Sequence, residues 1–120
     1  MHQRPYQKLV VWQEAHQLCL RTYKLTQKFP PEERYGLKRQ MQNSSSSVPT
    51  NIAEANLKSS MKEKVHFYEI AQCSLEELHY QYVLAHDLGY TSDQEFLEAD
   101  DHIQRVSFLL SRLKSSVHPR

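Results

Sequence analysis

The sequence predicts an all-α protein, an antiparallel up-down four-helix bundle. Three observations predict it. Apolar residues recur every three or four positions in long segments, only 2 Gly and 5 Pro occur in 120 residues, and short connections separate the segments. A seam with a seven-residue repeat is typical of helices packed nearly parallel or antiparallel, and short connections make consecutive helices antiparallel neighbours. We expect one domain, residues 1–120.

The first predicted helix spans about residues 7–28. Its apolar residues are spaced alternately by four and three, and Pro30 and Pro31 end it because proline cannot continue a helix interior. Pro31 can open a short helical turn that extends to Glu33. The seam consists of Val11, Ala15, Leu18, Thr22, Leu25 and Phe29.

The second predicted helix, residues 37–57, contains four consecutive serines and then Pro49. Proline lacks the N–H that would bond the Ser45 carbonyl and costs about 3 kcal/mol in a helix interior, so a break at this point is an alternative. We predict one helix, kinked at Pro49, because the apolar stripe keeps its phase across the proline. The stripe consists of Leu37, Met41, Val48, Ile52 and Ala55.

The third and fourth predicted helices span about residues 60–88 and 92–116. Ser60 and Glu63 have the spacing of a capping box at the start of the third helix, and Gly89 marks its end. In the fourth helix the acids come early and the bases late, which complements the helix dipole. The seams are Tyr68, Ala71, Leu75, Leu78, Tyr82 and Ala85, then Phe96, Ala99, Ile103, Val106, Leu110, Leu113 and Val117.

Composition excludes several classes of protein. No window approaches the roughly 20 apolar residues that span a bilayer, so we expect no membrane partner. No signal peptide is visible, and two cysteines, Cys19 and Cys73, cannot form a disulfide framework. We therefore expect a cytoplasmic location with both thiols reduced.

The net charge of +1 hides a partition along the chain. Residues 1–66 hold 11 Lys/Arg and 5 Asp/Glu, residues 67–104 hold 9 Asp/Glu and no Lys or Arg, and residues 105–120 hold 4 Lys/Arg and no acid. Such a partition favours charge-complementary docking.

Nothing in the sequence indicates catalysis, so we predict a protein that is not an enzyme and uses no cofactor. It has no Gly-rich phosphate loop, no nucleophile elbow and no HExxH motif. Two Glu-x-x-His motifs, Glu63 to His66 and Glu76 to His79, match the spacing found in di-iron bundles. Both lie on one predicted helix, about 20 Å apart, so we predict no metal site within a subunit.

Four stretches resemble the motifs of a known family. YQKLVVWQEA (6–15) resembles its opening signature, FPPEERYGL (29–37) its first connection, SVPTNIAE (47–54) its Pro-containing helix motif, and IAQCSLEEL (70–78) its third-helix stretch. The family comprises the four-helix-bundle proteins encoded in intervening sequences of bacterial 23S ribosomal RNA genes. It also includes the accessory variability proteins of diversity-generating retroelements.

The resemblance implies a homo-oligomer, a pentameric ring of bundles, that associates with RNA or DNA. In the retroelement members the partner is a reverse transcriptase, and another protein is an alternative. We therefore expect a non-enzymatic, nucleic-acid-associated accessory protein. The alternative is a protein-interaction scaffold with no nucleic-acid binding, whose surface docks another protein.

Candidate site residues follow from charge spacing and from the motifs. Arg21, Lys24 and Lys28 share one helical face, and we expect further bases to extend the same end of the bundle as a nucleic-acid-binding surface: Lys38, Arg39, Lys58, Lys62 and Lys64. Residues of the Pro-containing motif serve structure or a partner: Ser47, Pro49, Asn51 and Glu54. Trp12 and Tyr80 are candidates for a subunit interface, since such interfaces are enriched in these residue types.

Overall fold

The computed structural model describes residues 2–117, which form four α-helices and two short 3-10 helices. The α-helices are α1 (Val10–Thr26), α2 (Leu37–Leu57), α3 (Met61–Asp87) and α4 (Asp93–Val117); the 3-10 helices are Pro5–Lys8 and Pro31–Glu33. The described residues contain no strand, and the predicted all-α, four-helix class is confirmed. Residues 1 and 118–120 of the predicted domain lie outside the described residues.

Each helix packs against the one before and after it, and α4 closes against α1. The cross-helix hydrogen bonds show the direction of packing. Cys19, in the middle of α1, bonds to Ser45 of α2. Thr26, the last residue of α1, bonds to Gln42, which is nearer the start of α2. The same reversed order recurs between α2 and α3, between α3 and α4, and between α4 and α1. The contacts of consecutive helices therefore have the order of antiparallel neighbours.

The predicted seams form the core. Leu18, Leu75, Leu78 and Leu110 are at most 2% exposed. Tyr82 is the largest fully buried side chain, and its hydroxyl lies 2.7 Å from Thr22 Oγ1. Because the Thr22 hydroxyl donates to the Leu18 carbonyl, Tyr82 donates to Thr22, and burial raises the pKa of Tyr82 to about 12. None of the described helices has the length and apolar character needed to cross a membrane.

The first helix begins later than the predicted residue 7 and ends before residue 28. Residues 5–8 form a 3-10 turn that starts with a proline, and Leu9 is extended, so the α-helix starts at Val10. At the other end, α1 stops at Thr26, three residues before Phe29, which is buried in the core. The other three helices agree with the prediction to within one residue at each end.

The second helix continues through Pro49 without a break. The residues after the proline add side-chain hydrogen bonds to the carbonyls of the preceding turn: Thr50 Oγ1 donates to Ser46, and Asn51 Nδ2 donates to Ser47. They go to the two carbonyls after that of Ser45, the one that loses its N–H donor to proline. The kink at Pro49 stays a prediction.

A side chain caps the start of α3, and backbone amides cap its end. The Ser60 hydroxyl accepts from the Glu63 amide at 3.2 Å, which is the predicted N-cap bond. At the C-terminal end, Gly89 has a positive φ of 81°, the Gly89 amide donates to His86, and the Tyr90 amide donates to Ala85. This is the Schellman arrangement that glycine favours.

The Glu33 carboxylate holds the connection between α1 and α2 in place through two hydrogen bonds. Glu33 Oε1 accepts from the Leu37 amide at the start of α2 at 3.0 Å, and Glu33 Oε2 accepts from the Tyr90 hydroxyl at 2.9 Å. A Cβ on Gly36 would lie 2.8 Å from Glu33 Oε1, which is closer than van der Waals contact allows. Glycine at position 36 therefore leaves room for the carboxylate that caps α2.

We predict that Gly36→Ala destabilises the fold by about 1 kcal/mol, the usual cost of losing a helix cap, because the added methyl displaces the Glu33 carboxylate. Urea denaturation at fixed protein concentration measures it. In a Glu33→Ala background the same substitution should cost much less, since no carboxylate remains to be displaced. An equal cost in both backgrounds would contradict this role of Glu33.

Candidate nucleic-acid interface

Antiparallel packing collects basic residues at one end of the bundle. The 3-10 turn before α1 contacts α2, and the α2–α3 connection lies at that same end. We call this the lysine end and define it by Lys8, Lys58, Lys62 and Lys64. Clustered lysines free to face phosphates are what backbone electrostatic binding requires, so this surface is a candidate nucleic-acid interface.

Two lysines of this end are available for an external anion. Within residues 2–117, neither Lys58 nor Lys62 forms an ion pair with an acid. The Lys58 ammonium lies 5.1 Å from the centroid of the Phe67 ring, and Lys62 is exposed in the first turn of α3. Lys64, by contrast, donates to the Ala55 carbonyl near the end of α2 at 3.1 Å.

The basic residues of α1 lie in a groove that also contains acids. Arg21, Lys24 and Lys28 share one face, as predicted from their spacing, and that face lies against α4. Arg21 pairs with Glu98 at 3.6 Å, and Lys28 pairs with Glu95. The Lys28 ammonium lowers the pKa of the Glu95 carboxyl. Only Lys24 of the three is without an ion pair among the described residues, so this face is close to neutral.

The remaining predicted bases do not all extend one surface. Lys38 and Arg39 lie in the first turn of α2, whereas Lys58 follows its last residue. A 21-residue helix is about 30 Å long. The expectation that Lys58, Lys62 and Lys64 join the same end as Lys38 is therefore wrong, because α2 runs the length of the bundle between them.

His102 connects α1 to α4 at the edge of the α1 groove. Arg21 Nε donates to His102 Nδ1 at 3.2 Å, and His102 Nε2 lies 3.0 Å from the Glu14 carbonyl. This pattern requires a neutral ring that accepts at Nδ1 and donates at Nε2. Burial first, and then the Arg21 charge, lower the pKa of His102 from 6.5.

Only some of the polar side chains in the Pro-containing motif lie toward α3. Asn51 Nδ2 donates to the Ser47 carbonyl at 2.8 Å and to Ser47 Oγ at 3.0 Å, and Ser47 Oγ lies 2.8 Å from Ser74 Oγ. Pro49 is buried, whereas Glu54 is exposed. Asn51 and Ser47 therefore form a polar link from α2 to α3, and Glu54 takes no part in it.

The two aromatic residues predicted for a subunit interface differ in exposure. The Trp12 ring is half-buried, with Tyr6 edge-on at 5.1 Å and His16 stacked at 5.0 Å between ring centroids. Tyr80 is 62% exposed on α3. Tyr80 therefore presents more of its ring for contact with another molecule than Trp12 does.

The histidines and cysteines are dispersed. Among residues 2–117, no group of three or more His, Cys, Asp or Glu is placed to hold a metal ion. His79 pairs with Asp100 at 3.1 Å across α3 and α4. Cys19 is buried, and burial raises the pKa of its thiol, which disfavours the thiolate that a nucleophile requires.

Sequence reasoning missed a second groove, between α2 and α3. Its lining includes three serines and three residues of α3: Ser44, Ser47, Ser74, Glu77, Tyr80 and Gln81. The sequence carries one signal of it: a glutamine at position 81, beside the seam residues Leu78 and Tyr82, which periodicity places at the edge of the core.

Comparisons with known proteins agree with this fold. The chain matches the family model described as 23S rRNA-intervening sequence protein over residues 7–112. It is similar to the crystal structure of a protein of unknown function from the S23 ribosomal protein family of Bacteroides thetaiotaomicron VPI-5482. The TM-score is 0.82 and the identity 19%, over 88% of this chain and 98% of that chain. At this identity the likeness shows the fold alone. A search of curated proteins gave no match.

We predict that the fold loses stability as the pH falls below about 6.5 because of His102. A lowered folded-state pKa means that the unfolded chain binds the proton more strongly. The contribution is therefore complete above pH 6.5, the ordinary value, and is lost as the pH falls through the lower folded-state value. The difference in unfolding free energy between wild type and His102→Gln, followed against pH, isolates this residue from the other histidines. A difference that does not change with pH would contradict it.

Proposed function

The chain belongs to the 23S rRNA-intervening sequence protein family, and we propose that it is a non-enzymatic, homo-oligomeric accessory protein that associates with nucleic acid through its lysine end. The observation that carries this proposal is the pair of lysines, Lys58 and Lys62, that have no acidic partner among residues 2–117. Such residues neutralise phosphates and release counterions.

The binding we propose is to the phosphate backbone, without reading bases. Contacts from lysine side chains to phosphates position a protein on nucleic acid but carry no sequence information. The groove along α1 contributes less, because Glu95 and Glu98 already pair with Lys28 and Arg21 and would repel a phosphate. Lys24, Lys38 and Arg39 lie toward the opposite end from Lys58 and are outside the proposed surface.

The assembly we propose is a homo-oligomer, a pentamer by resemblance to the family. The open side of Trp12 is the aromatic surface that supports it, since aromatic residues are enriched at interfaces. A mass of about five subunits by light scattering would support the pentamer, and a monomer at low salt would contradict the proposal.

The second candidate function is a protein-interaction scaffold with no nucleic-acid binding. One observation favours it: residues 67–104, which include most of α3 and the first half of α4, hold nine acids and no Lys or Arg. Three of these acids, Glu76, Glu77 and Asp101, form no ion pair within residues 2–117, and such charges repel phosphate and attract a basic protein surface.

We predict that replacing both Lys58 and Lys62 with Gln weakens binding to a short RNA hairpin and a DNA duplex by about one to two orders of magnitude. Two lost phosphate contacts should also reduce the slope of log affinity against log salt by about 2. Filter binding across a salt series measures both quantities.

The matched control replaces Lys24 and Lys28 with Gln, which removes the same charge. It should change affinity and slope much less, because Lys28 is already paired with Glu95. Equal losses in the two double variants would place the site elsewhere. No binding by wild type at low salt would favour the scaffold.

A further inference from the structure

We propose that the groove between α2 and α3 binds an arginine side chain of a partner polypeptide. The groove has a volume of about 690 Å³ and lies between the first half of α2 and the second half of α3, away from the lysine end. The inference does not rest on nucleic-acid binding, because none of the lysine-end residues lines this groove.

Small side chains keep the groove open. Ser44 and Ser47 of α2 face Ser74 of α3, and the hydroxyl groups of Ser47 and Ser74 lie 2.8 Å apart. Asn51 donates to Ser47 Oγ at 3.0 Å, and either hydroxyl of the Ser47–Ser74 pair can be the donor to the other. The three serines therefore line the groove with small, hydrogen-bonding side chains.

Gln81 supplies an acceptor that has no donor. Its side chain lines the groove, the residue is 8% exposed, and Oε1 is buried without a hydrogen-bond partner among the described residues. A buried acceptor left unpaired is costly and rare in folded proteins. Gln81 lines the groove, and rotation about its broad terminal torsion would bring Oε1 to the groove and turn Nε2 inward.

The rim provides a negative charge and an aromatic face. Ser44 Oγ donates to Glu77 Oε1 at 3.3 Å and holds the carboxylate over the groove, while Oε2 has no partner within residues 2–117. Tyr80, three residues further along α3, is 62% exposed and offers its ring. A carboxylate, a ring face and an amide oxygen are together the acceptors that suit a cation.

Guanidinium fits this set better than ammonium does. Arginine presents five donors in a planar fork that pairs with a carboxylate and stacks on an aromatic ring, whereas lysine is a compact point charge. Glu77, Tyr80 and Gln81, at positions i, i+3 and i+4 of α3, share one helical face and line the same groove, which places all three acceptors before one guanidinium.

Charge complementarity identifies the occupant as a segment of another protein. From His66 to its end at Asp87, α3 carries acids and no Lys or Arg, so its outer surface attracts a basic partner. A second copy of this chain also carries arginines, seven among its 15 basic residues, so the sedimentation measurement below separates it from a different polypeptide.

The test uses three blocked pentapeptides, Gly-Ser-Xaa-Ser-Gly, in which Xaa is arginine, lysine or citrulline. Each is titrated into the isotope-labelled full chain, and NMR follows the Gln81 side-chain amide and the Tyr80 backbone amide. We expect the arginine peptide to bind about tenfold more tightly than its neutral citrulline isostere, as for a charge-assisted pair, with lysine between them. Equal affinity of arginine and citrulline peptides, or no shift at Gln81, would overturn the proposal.

Matched variants locate the site. Glu77→Gln should weaken binding of the arginine peptide about tenfold, whereas Glu76→Gln, which removes the same charge from an exposed neighbour outside the groove, should change it less than about twofold. Tyr80→Leu, at an exposed position that does not threaten folding, should also weaken it. Equal effects of the Glu76 and Glu77 variants would overturn the assignment. So would loss of oligomer mass by Glu77→Gln in sedimentation, since the occupant would then be a second copy.

Discussion

The apolar seam shared by the four helices is the constraint on which the rest of the structure depends. Leu75, Leu78 and Leu110 are at most 2% exposed, and burial of each such side chain stabilises the fold by about 1.5–3 kcal/mol. Only one face of each helix can supply this seam, so every charged residue is assigned to a fixed position outside it. The antiparallel contact order then brings Lys8 to the α2–α3 connection and sets the bases of α1 against the acids of α4.

Most of the fold could be predicted because it depends on periodicity. The seams of all four helices, the end at Gly89 and the cap at Ser60 follow from spacing and from local residue types. The start of α1 could not, because Leu9 fits the apolar pattern but is extended after a 3-10 turn. The role of Gly36 could not be predicted either, because it depends on the position of the Glu33 carboxylate that caps α2.

The candidate site could be predicted only in part. Charge counting found Lys58 and Lys62 but grouped them with Lys38, because one-dimensional spacing does not show which end of a long helix faces which neighbour. The pairing of Lys28 with Glu95 depends on the rotation of α1 against α4, which periodicity fixes only approximately. The unpaired oxygen of Gln81 is a property of packing, and residue type alone does not indicate it.

The central claim is that the lysine end, and not the groove along α1, meets the phosphates. The most direct measurement is the acetylation rate of each lysine with and without a saturating RNA hairpin, read by mass spectrometry. The account predicts that bound RNA slows acetylation at Lys58 and Lys62 and leaves Lys24 unchanged. Protection centred on Lys24, with Lys58 and Lys62 reacting as in the free protein, would contradict it.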